Sequence, residues 1–316
     1  MRSLGALQFL LAAATLACAA GGDGTMDQRW VEELTLQDGI FDVEGSAAAG
    51  TWLASRGLYR LSGTTWEPVN GTDARVLRAI AIREPAEVWA VGMGGVALRG
   101  GAQGFEELRV ADGIQGLHHV QATADRVWVS ASSEHLWSFD GQTWSTVKPA
   151  ELAGHYVGGI YAPSEGLLFA HAPWASTGKP LSLARYDGAS WKLDTLGKGW
   201  RYAASIDGSG PNDVWAIGMR GKLFGKGGFA VHWDGKSWSE VPIPLDTPLT
   251  DISVRGPSEA WACGWKGTVL RWDGRTWSQV ETGLDKPLTR IFAGDDGSVR
   301  VVLNDTKLLR WKGESP

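Results

Sequence analysis

A five-residue hairpin pattern that recurs along the chain, an aromatic that follows it at a near-constant interval, and the lack of any sustained helical period after the first 20 residues together predict an all-β fold. The expected architecture is a seven-bladed β-propeller of four-stranded antiparallel blades, closed by the N-terminal strand joining the last blade. The hairpin pattern is Asp-Gly-x-Ser/Thr-Trp. It is complete at residues 140–144, 187–191, 234–238 and 273–277, and worn at 62–66. Asp-Gly between alternating apolar residues is a strong hairpin signal, and a type I′ turn with positive φ at both central residues is the geometry it predicts.

The aromatic that opens the strand after each hairpin falls at Trp30, Trp66, Phe105, Trp144, Trp191, Trp238 and Trp277, at intervals of 36, 39, 39, 47, 47 and 39 residues. Such a period belongs to propeller repeats. Residues 249–280 form the clearest unit, with alternating runs at 249–254, 259–264, 268–272 and 276–280 separated by turn residues. A second aromatic recurs in the second strand at Trp52, Trp89, Trp128, Trp215 and Trp261; the fourth unit has Leu168-Phe169 in that slot and the last has Val301. First strands share an apolar pair three residues apart: Leu77 and Ile80, Leu117 and Val120, Val157 and Ile160, Leu249 and Ile252, Leu288 and Ile291. The last unit has runs for three strands only, whereas residues 29–34 read as a fourth strand with no blade before it. Residues 30–36 are therefore expected to complete the last blade, closing the ring and removing exposed sheet edges.

Composition agrees with this reading. Among 316 residues, 43 Gly suit the many turns and 18 Trp suit packing between blades. The formal charge is −5, from 30 basic and 35 acidic residues with no basic stripe bearing stacking aromatics, so nucleic acid is not an expected partner. Only two Cys occur, with no CxxC, HExxH or metal-spaced His pair, so neither a metal nor another cofactor is expected. Cys263 reads as a small apolar core residue rather than part of a disulfide framework.

The N-terminus reads as a targeting segment. One Arg precedes an apolar run at 4–16 that is too short to span a bilayer. Residues 1–17 are expected to be a signal peptide, 18–28 a lipidated Cys and flexible tether, and 29–313 the propeller. Thr15-Leu16-Ala17-Cys18 resembles the bacterial lipoprotein signal, with Thr15 where that pattern usually has Leu. The resemblance implies lipidation of Cys18, and Ala19 after it implies the outer membrane; the alternative is ordinary cleavage to a secreted or periplasmic protein, which the small residues around Ala17 and Ala19 would also suit. Membrane contact is expected through the lipid anchor only, and the protein is expected to be a monomer.

The motif Val88-Trp-Ala-Val-Gly92, repeated as Val214-Trp-Ala-Ile-Gly218 and Ala260-Trp-Ala-Cys-Gly264 and followed by Leu270-Arg-Trp-Asp-Gly274, resembles a family of Trp-rich bacterial envelope propellers over about residues 29–313. Those proteins are usually lipoproteins. The hairpin is also similar to the Asp-box of sialidases and photosystem-assembly propellers, although there Asp and Gly are separated by one residue and here they are adjacent. Both resemblances imply a seven-bladed scaffold and neither implies one activity.

The repeated Asp140, Asp187, Asp234 and Asp273 read as turn caps, not as catalytic carboxylates. Departures from the repeat are more informative. Extra residues at 172–180 and 219–229 enlarge the joint after the second strand in two units, on the side where the loops between blades surround the central funnel. Arg56, Trp174, Arg220, Lys222, Trp265 and Lys266 are the candidate partner-binding residues there, with Trp200 and Tyr202 near the funnel. Strict strand alternation sends His118 and His119 to opposite faces, so they are not expected to share a site. The function expected is that of a non-catalytic cell-envelope scaffold binding a protein or glycan through its funnel face. The alternative is a sialidase-like glycan hydrolase, whose chemistry wants three Arg, a Tyr nucleophile with a Glu partner and an acidic Asp. Its early Arg-Ile-Pro signature is absent, Thr289-Arg-Ile291 being the nearest match; Tyr156, Tyr161 and Tyr202 are the tyrosines within reach of a funnel.

Overall fold

The computed structural model describes residues 25–313 apart from 84, 132–134, 154–156, 165, 172–181, 197–199 and 221–226. The chain forms seven four-stranded antiparallel sheets arranged in a ring, a β-propeller. The first strands of blades 1 to 7 are Asp42–Ser46, Leu77–Arg83, Leu117–Ala122, Gly159–Ser164, Trp200–Gly210, Leu249–Gly256 and Leu288–Ala293. Blade 7 takes its fourth strand from the N-terminus. Trp30–Thr35 pairs antiparallel with Lys307–Trp311, Trp30 opposite Trp311 and Thr35 opposite Lys307. Leu36 leaves the ladder one residue earlier than expected, although its N–H still donates to the Thr306 carbonyl at 2.9 Å.

The core lies between blades, and this explains the Trp period. The second-strand aromatic of each blade packs against third- or fourth-strand aromatics of the next. Trp52 meets Phe105, Trp89 meets Phe139 and Trp144, Trp128 meets Tyr186, Phe169 meets Trp233 and Trp238, Trp215 meets Trp272 and Trp277, and Trp261 meets Trp311. Ring centroids lie 5.0–6.5 Å apart, the range in which tilted and edge-on pairs are favourable.

The seam between blades 7 and 1 is built differently. Pairing of Phe292 with Arg300 puts Arg300 in the slot that Trp261 fills in blade 6 opposite Ser253. Arg300, not Val301, therefore occupies the second-strand aromatic position. Its guanidinium lies over Trp66, and Glu33 on the closing strand accepts from Arg300 Nε at 2.8 Å, Arg310 Nε at 2.6 Å and Trp66 Nε1 at 3.4 Å. A hydrogen-bonded ion cluster thus replaces aromatic packing where the two ends of the chain meet.

The Asp-Gly hairpins are real, but they are not type I′ turns. Only Gly141, Gly188, Gly235 and Gly274 have positive φ there, and the Asp residues do not. Each Asp carboxylate instead accepts the N–H groups two and three residues on, as Asp140 does from Gln142 at 2.8 Å and Thr143 at 2.7 Å. The Asp side chain stands in for one arm of a backbone turn, which frees its own backbone from the left-handed region. The carboxylates of Asp140, Asp234 and Asp273 are held below the usual range mainly by these bonds.

Candidate functional site

Antiparallel succession places the joints between second and third strands on the same end of the ring as the connections between blades. Backbone bonds tie the two together: Gly57 N to Arg75 O, Met93 N to Val76 O, Gly94 N to Gln115 O, Trp265 N to Pro248 O, Gly267 N to Lys286 O and Asn304 N to Pro287 O. Joints and connections are thus laced together along blades 6, 7, 1 and 2. On this funnel face lie Arg56, exposed and 4.0 Å from Asp38, and the neighbours Trp265 and Lys266. Arg220 takes another course. It reaches across blade 5, donating from Nε to the Gly228 carbonyl at 3.0 Å and pairing with Glu240 of the fourth strand. Trp174 and Lys222, like Cys18, lie outside the described residues.

Among the described residues three non-glycine residues have positive φ, Lys266 at 55°, Asn304 at 49° and Asp305 at 60°. All three sit in funnel-face joints of blades 6 and 7. Paired left-handed conformations, expected at the Asp-Gly hairpins, thus occur on the opposite face, where Lys266 and Gly267 at 65° form one such pair. Left-handed backbone disfavours an ordinary side chain by about 1–2 kcal/mol, and such strain gathers at functional surfaces. Met93, on the corresponding joint of blade 2, is a large apolar side chain left 40 % exposed.

Beneath this face the first strands line a central channel, and here the structure shows a set of titratable groups that sequence reasoning missed. In five blades the ladder shifts register after the leading apolar residue, between Leu77 and Ala79, Leu117 and His119, Ala203 and Ser205, Leu249 and Asp251, and Leu288 and Arg290. A bulge sets two residues against one and breaks the alternation of side chains. In blade 3 the shift falls between Leu117 and His119, so strict alternation no longer dictates where His118 and His119 point; burial and then Arg78 act on His118, and burial, His171, Arg290 and His118 act on His119. The signal in the sequence was the polar pair between the apolar residues of three first strands, His118-His119, Thr250-Asp251 and Thr289-Arg290.

Asp42, Glu44, Asp207 and Asp251 come from blades 1, 5 and 6. Three of them accept an N–H from the first strand of the following blade: Asp42 from Ile80 at 2.7 Å, Asp207 from Val254 at 2.7 Å and Asp251 from Ile291 at 2.9 Å. They staple neighbouring blades at the axis. Burial pushes Asp42 up to about 6 and Asp207 up to about 7, and it drives Glu44 and Asp251 upward as well. Burial works against the Arg290 charge, but Asp251 and Asp42 outweigh it. On the other side of the channel burial takes His118 down to about 4 and His171 to about 3. These imidazoles are neutral at pH 7, whereas the carboxylates titrate toward it.

What this arrangement can do chemically is limited by its geometry. Burial pushes the phenols of Tyr161 and Tyr202 upward, opposite to what a phenolate nucleophile requires. Among the described residues no group of three His, Cys, Asp or Glu is placed to hold a metal ion. Cys263 is fully buried, its Sγ 3.4 Å from Thr250 Oγ1, and burial raises its thiol, which suits an inert core residue. Tyr156 and His155 lie outside the described residues.

No family model matches the chain, and no curated protein matches it in sequence. Solved propellers do match in shape. YCF48 from Cyanidioschyzon merolae is 16 % identical with a TM-score of 0.67, over 91 % of this chain and 99 % of its own. YCF48 bound to D1 peptide is 17 % identical with a TM-score of 0.67, over 93 % and 100 %. A streptogramin B lyase is 15 % identical with a TM-score of 0.69, over 89 % and 96 %. At these identities the likeness carries the fold alone.

Proposed function

We propose that the protein is a non-catalytic binding scaffold of the cell envelope, which holds a protein or glycan partner on its funnel face. The observation that carries this reading is the left-handed backbone at Lys266, Asn304 and Asp305, which among the described residues falls in two adjacent joints of that face beside the half-buried Trp265. Strain kept in a surface turn is explained when the turn must present particular side chains. The exposed Met93 supports it, and the propeller class to which the ring belongs includes a structure bound to a peptide. The lipoprotein-like segment at 15–18 supports the envelope location.

The test is capture from crosslinked envelope extract of the source cell. The parent protein and a Lys236→Ala/Arg275→Ala control, altered only on exposed turns of the opposite face, should retain the same partner. A Met93→Ala/Trp265→Ala/Lys266→Ala variant of unchanged melting temperature should lose it. Equal retention by both variants would refute the funnel-face assignment. Fractionation checks the location: membrane association should be lost in Cys18→Ser if Cys18 is the anchor.

A further inference from the structure

Around Phe41 of blade 1 two guanidinium groups meet. Arg290, from blade 7, donates from Nε to the Phe41 carbonyl at 2.7 Å and from Nη1 to the Thr289 carbonyl at 2.7 Å. Arg78, from blade 2, lies over the Phe41 ring at 5.3 Å. The two differ in one respect. Arg290 is countered by Asp251, Asp42 and Asp305. Arg78 makes no ion pair among the described residues, its Nε has no hydrogen-bond partner, and the neighbouring charge it does meet is the like charge of Arg290. A half-buried guanidinium facing another cation without a counter-charge is an unfavourable arrangement. An anion at this point would relieve it.

The surroundings specify the anion. Arg78 is the second residue of its blade's bulged pair, Leu77-Arg78-Ala79, and so lies near the funnel end of the channel, in the same layer as His118 and Thr289. The Thr289 hydroxyl is a second buried polar atom without a partner. Further down stand Asp42, Glu44, Asp207 and Asp251, which would repel a dianion more than a monoanion. A planar guanidinium matches a carboxylate with two parallel hydrogen bonds. Across the ring, blade 4 has Gly158 and Gly159 where blade 3 has His118 and His119, and His171 from the second strand fills the volume above Gly159, where a Cβ would collide with its ring. His171 is 1 % exposed, and neither ring nitrogen has a partner.

We propose that the channel mouth at blades 7, 1 and 2 is a binding site for a carboxylate-bearing ligand, with Arg78 as the principal contact. The ligand enters from the funnel face, but the site does not depend on the Trp265–Lys266 joint of blade 6. The carboxylate is that of a free small acid or of a polypeptide C-terminus. Arg78 then does for the ligand what Arg290 already does for Asp42 and Asp251.

The experiment follows the side-chain Nε–Hε resonances of the intact 15N-labelled protein, with Arg78 assigned by its loss in Arg78→Lys. Three probes are titrated: acetate, the tripeptide Gly-Gly-Ala with a free C-terminus, and its C-terminal amide. Inorganic phosphate is the comparison anion. Expected is a saturable shift of the Arg78 resonance with acetate, with the free tripeptide, or with both, and none with the amide. Acetate alone would identify the free-acid source, and the free tripeptide alone the chain end. Loss of charge-assisted hydrogen bonds in Arg78→Gln should weaken binding roughly 10- to 100-fold, and Arg78→Lys, which keeps the charge without the fork, should weaken it less. Lys266→Ala should leave the titration unchanged, which separates this site from the partner-binding face. No saturable shift with any carboxylate, equal binding of the amide, or tighter binding of phosphate would overturn the proposal. Because these readouts use the parent protein, they hold even if Arg78→Gln folds poorly.

Discussion

Removing the Glu33 carboxylate should loosen the ring at its seam more than any other single surface-accessible change. Glu33 is 11 % exposed and bonds two arginines that differ in burial: Arg300, 3 % exposed, and Arg310, 36 % exposed. In Glu33→Ala, Arg300 keeps only the Ser298 hydroxyl at 2.6 Å and the face of Trp66. Breaking one side of a buried pair costs about 3–5 kcal/mol because a charge stays behind in low dielectric. The Arg310 share is at most about 1 kcal/mol, as for exposed pairs. At about 2 °C per kcal/mol for a chain of this size, the melting temperature should fall by about 6–10 °C. Arg310→Ala should lower it by about 2 °C or less. The double variant Glu33→Ala/Arg300→Met should recover most of the loss, since an apolar side chain in that slot needs no counter-charge. Urea unfolding followed by Trp fluorescence measures all four proteins. A loss below about 1 kcal/mol in Glu33→Ala, or no recovery in the double variant, would refute the claim that an ion cluster holds the seam.

Three further outcomes follow from the same geometry. Deleting residues 29–36 removes the strand that pairs with Lys307–Trp311 and exposes that strand's edge, so calorimetry should show loss of the cooperative transition or a fall beyond that of Glu33→Ala. Asp207, raised to about 7 from an ordinary 3.8, keeps in the folded state a proton that the unfolded chain has lost, so its contribution to stability declines as pH rises from about 4 to about 7; Asp207→Asn, which still accepts from Val254, should be more stable than the parent by on the order of 4 kcal/mol at pH 8 and equal to it at pH 4. Lys266→Gly relieves a left-handed lysine and should stabilise by about 0.5–1 kcal/mol, measured by urea midpoint, while weakening partner capture.

The fold was legible because its determinants are local and repeated. Each Trp at a strand start reports one inter-blade contact, so the ring could be counted from Trp30 to Trp277, and the missing fourth strand of the last unit pointed to closure. The slot filled by Arg300 was misplaced by one residue, since Val301 continues an apolar run and nothing local reveals that Glu33, 267 residues away, neutralises its neighbour. The hairpin geometry was misjudged for a related reason. Asp-Gly reads as two left-handed residues until the Asp side chain is seen to close the turn itself. The channel was illegible because bulges are not written in the alternation pattern. The register shift between Leu117 and His119, for example, removes the alternation from which opposite faces for His118 and His119 would follow.

That distinction bears on which channel groups are available for binding. Asp42, Asp207 and Asp251 hold Ile80, Val254 and Ile291 across blade boundaries, and Arg290 holds Phe41, so each has a structural task that accounts for its position. Their raised proton affinities follow from the same burial. A perturbed carboxylate at the axis of a ring is therefore poor evidence for catalysis when an amide of the next blade occupies it. What remains after this subtraction is Arg78, the Thr289 hydroxyl and His171, polar groups with no structural bond to explain them. Arg78 and Thr289 stand in the first strands of blades 2 and 7, whereas His171 fills the place above Gly159 in blade 4, so a carboxylate entering at the channel mouth meets the first two together.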